Sequence, residues 1–250
     1  VYRAKVHELP DAGRDARGQH VANLMAFKPD ETIAQVLSIK DYTASPYLVL
    51  ATKFGLVKKT PLTEYDSPRS GGLIAISLKP GDEVVSAALV NKGDELLLVS
   101  KKAMSLRFAA DEESLRPMGR STSGVIGMKF RSGDELLTMS TIRNSDGKSE
   151  TYVLTATDGG FGKRTNLDEY RSQGRGGIGV KAAKVDEDSR GGLVGALIVS
   201  EKDEILLVSK NGMSLRFGAN EESIRSMGRS TSGVIGMKFR GKDQLLTMAA

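Results

Sequence analysis

Cations recur in this chain at matching places. Arg3, Lys59, Arg107, Arg164 and Arg216 occupy one position of a repeating pattern, with Lys58 and Lys163 beside two of them. A second set stands among glycines: Arg14 and Arg17, Arg69, Arg116 and Arg120, Arg171 and Arg175, Arg225 and Arg229. Cations spaced along one surface can neutralise a polyanion, and glycine beside arginine lets backbone N–H groups approach a phosphate while the guanidinium grips it. Two simpler roles compete. Strand cations can merely solvate an outer face and discourage edge pairing, and the glycines can serve a tight turn for backbone reasons alone. In the loops both roles hold together, structural for the glycines and functional for the arginines.

Catalytic chemistry has no comparable support. His7 and His20 are the two histidines, and neither has a carboxylate cluster at metal-ligand or triad spacing. Cysteine is absent, which excludes disulfides and thiolate metal centres and makes a reducing cytoplasm the expected compartment. The carboxylates at 82–83, 94–95, 134–135 and 203–204 fall in turns and read as solvated turn formers. The run Gly174-Arg-Gly-Gly-Ile-Gly179 satisfies neither the dinucleotide fingerprint nor the Gly-Lys-Ser/Thr phosphate loop. No catalytic residue, cofactor or metal is expected.

Composition narrows the partner. A net charge of +5 and a pI near 9.3 suit a polyanion only if the charge is gathered on one surface. Aromatics are 5% of residues with no Trp, which argues against single-strand binding by base stacking and leaves duplex as the better polyanion. Apolar runs such as 84–90 and 193–199 fall far short of the roughly 20 residues a membrane helix needs. With 39% hydrophobic residues the chain can bury a real core.

The elements that must hold these cations are repeats. Residues 94–139 realign without gaps on 203–248, with 36 of 46 positions identical, and 151–200 resembles 47–90. Met-Ser-Leu-Arg-Phe at 104–108 returns at 213–217. One glycine per loop, at Gly18, Gly72, Gly124, Gly176 and Gly233, suggests five modules, bounded at about 1–43, 44–92, 93–143, 144–201 and 202–250. Each carries short Val/Ile/Leu runs, for example 47–52, 56–62, 73–78 and 83–90, separated by Pro-Gly-Asp or Gly-Asp turns. Four strands repeated radially describe an all-β, propeller-like array. Residues 1–9 align with the second strand of the other modules, so the first module lacks its opening strand and the chain reads as a piece of a longer one.

The residues at 1–10, Gly13-Arg-Asp-Ala-Arg-Gly18 and the segment 51–60 resemble the carboxy-terminal domain of DNA gyrase A. The heptapeptide Gln173-Gly174-Arg175-Gly176-Gly177-Ile178-Gly179 is similar to that family's signature Gln-Arg-Arg-Gly-Gly-Lys-Gly, with Gly174 in place of Arg and Ile178 in place of Lys. The resemblance implies a single β-pinwheel domain, a propeller variant in which blades exchange strands. Five of the family's six repeats are visible, and the blade with the full heptapeptide lies upstream of the part that matches Val1. It also implies non-sequence-specific binding and wrapping of duplex DNA around a basic rim, without catalysis by this domain. The implied partners are the gyrase A core and gyrase B, which together form an ATP-dependent topoisomerase, and no membrane.

On this reading Arg3, Lys59, Arg107, Arg164 and Arg216 form a ring on the outer perimeter, joined by Lys58, Lys163 and the loop arginines. Bending 20 to 30 base pairs by 40 to 90° costs roughly 1 to 6 kcal/mol, so several contacts must act together. With two cations missing from its heptapeptide, the chain is expected to bind and bend duplex but wrap it weakly. Two other readings stay open: the corresponding domain of topoisomerase IV, which steers substrate choice, and a propeller that docks proteins.

Overall fold

The computed structural model describes residues 1–43, 45–69, 71–144 and 150–250; Ala44, where the second expected module begins, Ser70, and residues 145–149 of the fourth lie outside the described residues. The fold is all-β. Its strands are β1 (Tyr47–Thr52), β2 (Leu56–Pro61), β3 (Val84–Val90), β4 (Glu95–Ser100), β5 (Met104–Ala109), β6 (Val125–Ile126), β7 (Leu136–Ile142), β8 (Thr151–Thr157), β9 (Phe161–Asn166), β10 (Val180–Lys181), β11 (Leu193–Ser200), β12 (Glu204–Ser209), β13 (Ser214–Gly218), β14 (Val234–Ile235) and β15 (Leu245–Ala249). Among the described residues the one α-helix is the single turn Glu187–Arg190.

These strands make four antiparallel sheets, ordered β3-β1-β2-β6, β7-β4-β5-β10, β11-β8-β9-β14 and β15-β12-β13. The fourth strand of each complete sheet is supplied by the next module: Val125 pairs with Val57, Val180 with Ser105, and Val234 with Gly162. This is the exchange that defines a pinwheel. Strands β3, β7, β11 and β15 lie side by side along the opposite edge of the stack. There Ser86 Oγ donates to the Met139 carbonyl at 3.1 Å.

The first module departs from expectation. Residues 1–43 hold the 3-10 turns Val6–Glu8 and Val21–Asn23 and no strand. What survives is one reciprocal pair of hydrogen bonds, Val1 N to Leu73 O at 2.8 Å and Leu73 N to Val1 O at 2.9 Å, at the place where β2 meets β6 in the next repeat. The run 73–78 is accordingly not a strand; its counterparts are the two-residue exchanged strands.

The core lies between sheets. Alternate residues of β4 face opposite ways: Leu96 and Leu98 pack with Val49, Val57 and Phe108, while Leu97 and Val99 pack with Val153, Leu167 and Tyr170. The turn aspartates are not all solvated, contrary to what their position suggests. Asp82 and Asp94 are buried, and both accept hydrogen bonds from neighbouring turns, Asp82 through Oδ1 alone. Asp82 Oδ1 accepts from Phe54 N at 2.9 Å and Glu83 N at 3.0 Å, while Asp94 accepts from Asn91 N at 2.9 Å and Arg143 Nη1 at 2.7 Å. Each aspartate ties one hairpin to another.

Candidate nucleic-acid interface

The loops that carry arginine are built on the exchanged strand. Just before each such strand stands a glycine at positive φ, Gly124, Gly179 or Gly233, pressed against the preceding sheet. A Cβ on Gly124 would lie 2.5 Å from the Val57 carbonyl oxygen, and one on Gly233 2.5 Å from that of Gly162. Only glycine fits there. In the fourth module the equivalent residue is therefore Gly179, not Gly176, which corrects the loop glycine inferred from spacing; the sequence offers several glycines in that stretch and the packing selects one.

Upstream of the glycine, a backbone bond fixes where each loop starts. Met118 N donates to Lys59 O at 2.8 Å, Gln173 N to Arg107 O at 2.8 Å and Met227 N to Arg164 O at 2.9 Å. Met118, Gln173 and Met227 are thus equivalent, and so are Arg120, Arg175 and Arg229. The same alignment makes Arg116, Arg171 and Arg225 one set, and all three are exposed. Arg14, Arg17 and Arg69 are exposed as well, on the loops of the first two modules.

The strand cations are elsewhere. Lys58, Lys59, Lys163 and Arg164 are buried, so the expected ring of phosphate contacts on the perimeter is not formed by them. Their side chains cross the seam to the next module. Lys59 Nζ donates to Ala110 O at 2.7 Å and Asp111 O at 3.0 Å and sits 4.7 Å from the centre of the Tyr47 ring. Arg164 donates to Ile224 O at 2.6 Å and Ala219 O at 2.9 Å, pairs with Glu201 and Glu221, and stacks on Tyr152 at 4.2 Å. Half-buried Arg107 reaches Tyr170 O at 3.1 Å and is ion-paired to Glu95. Of the five, Arg3 and Arg216 are the exposed ones, paired at 2.8 Å with Asp66 and at 2.7 Å with Glu204. The physical reason is the next module's loop, which covers each inner cation and offers it carbonyl oxygens; a cation so desolvated persists because it is hydrogen-bonded.

Lys58 and Lys163 clasp the arginine loops themselves. Lys58 Nζ donates to the carbonyls of Ala75 and Arg120, and Lys163 Nζ to those of Gly228 at 2.8 Å and Arg229 at 2.6 Å. Burial pushes the pKa of both ammonium groups down to about 8.

The structure adds a row of lysines that the sequence pattern does not single out. Lys129, Lys184 and Lys238 each follow the loop glycine by five residues and are exposed. Lys129 N donates to Gly177 O at 2.9 Å and Lys184 N to Thr231 O at 3.0 Å, so these lysines are held beside the next arginine loop. Lys129 and Lys238 belong to the repeated Gly-Met-Lys-Phe-Arg, which is the available signal. The candidate interface is thus a band of loops, with two exposed or half-exposed arginines and one lysine in each of the last three modules. Among the described residues no group of three or more His, Cys, Asp or Glu could hold a metal, and no helix is long and apolar enough to cross a membrane.

The family model described as DNA gyrase C-terminal domain, beta-propeller, matches residues 1–40, 46–91, 94–143, 151–200 and 203–250. The DNA gyrase A protein of Streptomyces coelicolor is 60% identical across the chain, and that of Mycobacterium tuberculosis 52%; the chain spans 29% of the length of each. Among solved structures, the C-terminal domain of a DNA topoisomerase IV superposes with a TM-score of 0.84 at 28% identity, covering 98% of this chain and 73% of that one. A DNA gyrase A C-terminal domain gives 0.80 at 30% identity, covering 94% and 75%. The likeness read from 1–10, 51–60 and the heptapeptide therefore extends through the fold, and the chain belongs to the family of DNA gyrase C-terminal domains.

Proposed function

We propose that this domain binds and bends duplex DNA without sequence preference along the band of loops, as a non-catalytic accessory to an ATP-dependent topoisomerase. The gyrase A core and gyrase B are its partners in that enzyme, and negative supercoiling is the process it serves. The observation that carries the reading is the recurrence of exposed or half-exposed cations at equivalent places, Arg116 with Arg120 and Lys129, Arg171 with Arg175 and Lys184, Arg225 with Arg229 and Lys238. Each group stands on a loop whose backbone is fixed by the module before it. Phosphates along a curved duplex present charge at regular intervals, and a repeated, pre-ordered set of cations meets them with little reorganisation.

The experiment is a duplex-binding titration at several salt concentrations, with Arg116, Arg171 and Arg225 replaced by Ala. Log affinity should fall linearly with log salt. The triple variant should flatten that slope by about one for every phosphate no longer engaged, equally for unrelated sequences. A protein-docking propeller would show little duplex affinity at any salt, and that result would remove the proposal.

The topoisomerase IV reading has the TM-score of 0.84 and the two missing heptapeptide cations in its favour. It differs in wrapping. Relaxed plasmid treated with a topoisomerase I in the presence of the domain reports the sign and size of any writhe. A strong positive shift favours the gyrase role, while binding without a shift favours the other.

A further inference from the structure

The seams between modules alternate between two designs. In one, the strand cation lies against a tyrosine twelve residues earlier, Tyr47 for Lys59 and Tyr152 for Arg164; in the other that residue is a glutamate, Glu95 for Arg107, a pairing that Glu204 and Arg216 repeat on the exposed edge of the last sheet. The tyrosine seams also carry a buried lysine, Lys58 or Lys163, and a glutamate, Glu64 or Glu169, 3.9 Å from Nε of Arg120 or Arg229. The glutamate seam that meets the heptapeptide has Leu106 at the lysine's place and Ser114 at the glutamate's.

The loops respond accordingly. Those of Arg120 and Arg229 have carbonyls gripped by the buried lysine. Among the described residues the Arg120 side chain has the Glu64 carboxylate at 3.9 Å as its partner, and Arg229 adds one 3.3 Å bond to Lys181 O. The heptapeptide loop has no lysine, and Arg175 itself donates Nε to Ser114 O at 2.6 Å and Nη1 to Ile126 O at 3.1 Å. The two N–H groups that brace the loop are lost to a phosphate, and they fix the plane of the guanidinium and so the directions in which its three other N–H groups point.

We propose that Lys58 and Lys163 are positioning residues which, from the preceding module, order the Arg120 and Arg229 loops and leave those arginines available to DNA, whereas Arg175 orders its own loop and is withdrawn from DNA. This rests on the DNA-binding reading above but makes a separate claim about loop order. It divides the three equivalent arginines into two contacts and one brace.

The test uses the whole chain and two measurements, amide hydrogen exchange and titration with a random-sequence 40-base-pair duplex. Lys58→Met should speed exchange about tenfold or more at residues 118–123 and leave 227–232 unchanged; Lys163→Met should do the reverse. Together they should weaken duplex binding several-fold while β1 and β8 stay protected. Arg120→Ala with Arg229→Ala should weaken binding without loosening their loops. Arg175→Ala, an exposed change that the fold tolerates, should loosen 173–178 and alter affinity less than twofold. Unchanged loop exchange in the lysine variants, loosening spread equally over the sheets, or an Arg175→Ala affinity loss as large as that at Arg120 or Arg229 would overturn the assignment. If the unmodified chain fails to bind duplex, the DNA-binding reading falls, and the exchange measurements still decide which residue braces which loop.

Discussion

The Arg164 guanidinium, fully buried, lies 4.2 Å from the centre of the Tyr152 ring and donates Nε to the Ile224 carbonyl at 2.6 Å, joining two modules through one side chain. A residue that looks like a ligand for DNA is an internal fastening. Replacing it with Ala leaves the carbonyls of Ile224 and Ala219 without their donor and opens a void at the seam. Stability should fall by about 3 to 5 kcal/mol, as when a buried pair loses one partner. Urea unfolding measures this, and a loss below about 1 kcal/mol would show that the seam does not depend on Arg164.

Glycine at the start of the exchanged strand should be irreplaceable. Gly124→Ala or Gly233→Ala puts a methyl 2.5 Å from a backbone carbonyl oxygen at positive φ. The left-handed conformation alone costs roughly 1 to 2 kcal/mol, and the clash adds to it. Gly119→Ala, with nothing within 4 Å of the added methyl, is the control and should be close to neutral. Thermal melts of the three variants distinguish the cases.

Alkaline pH should stabilise the folded chain over a limited window. The Lys58 and Lys163 ammonium groups are held at about 8 against an ordinary 10.5 by burial; Glu64 and Arg120 face the first, Glu169 and Arg229 the second. Between those values the unfolded chain binds more protons than the folded one, so the unfolding free energy rises with pH. The penalty of the buried charge is complete below about pH 8. Tyr170, pushed up to about 12 by burial, acts in the opposite direction above an ordinary phenol's value of 10.0. Chemical denaturation from about pH 7 to about pH 10 should show the rise, and the Lys58→Met, Lys163→Met double variant should lack most of it.

The degenerate heptapeptide can be tested by restoration. A side chain added at Gly174 meets nothing within 4 Å of its Cβ, and Ile178 is 41% exposed, so Gly174→Arg and Ile178→Lys should be accommodated without strain. Contact energy and bending energy are of similar size, so the two new cations should increase DNA curvature more than affinity. Plasmid linking-number change beside a binding titration reads both. An affinity gain with no added curvature would place this loop away from the path of the duplex.

The alignment of the cations is legible in sequence, but their surroundings are not. Arg3, Lys59, Arg107, Arg164 and Arg216 do share one structural position, yet four of them contact the next module, and a strand read by itself carries no sign of what will cover it. The twelve-residue pairing of Lys59 with Tyr47 and of Arg164 with Tyr152 is a usable clue, because a hairpin of this length sets those side chains on one face. Aliphatic content reveals strand runs such as 47–52 and 84–90, whereas it misleads at 73–78, whose relatives pair with a preceding sheet for only two residues. Lys129, Lys184 and Lys238 escape notice since nothing in their own segment marks them; the first two are placed by a backbone bond to a loop about 50 residues later.

The borrowed fourth strand also sets a timetable for synthesis. Strand β2 ends at Pro61, but its partner on the open side, Val125–Ile126, emerges 65 residues later. At 5 to 20 residues per second this delay is roughly 3 to 13 s, during which the edge of the first sheet has no neighbour. Each later sheet repeats the interval, so the nascent chain always carries one unfinished edge, and that edge advances along the array as translation proceeds. Two ribosomes on one message would then expose matching edges to each other, and the alternation of tyrosine and glutamate seams gives neighbouring modules unlike faces with which to find the correct partner.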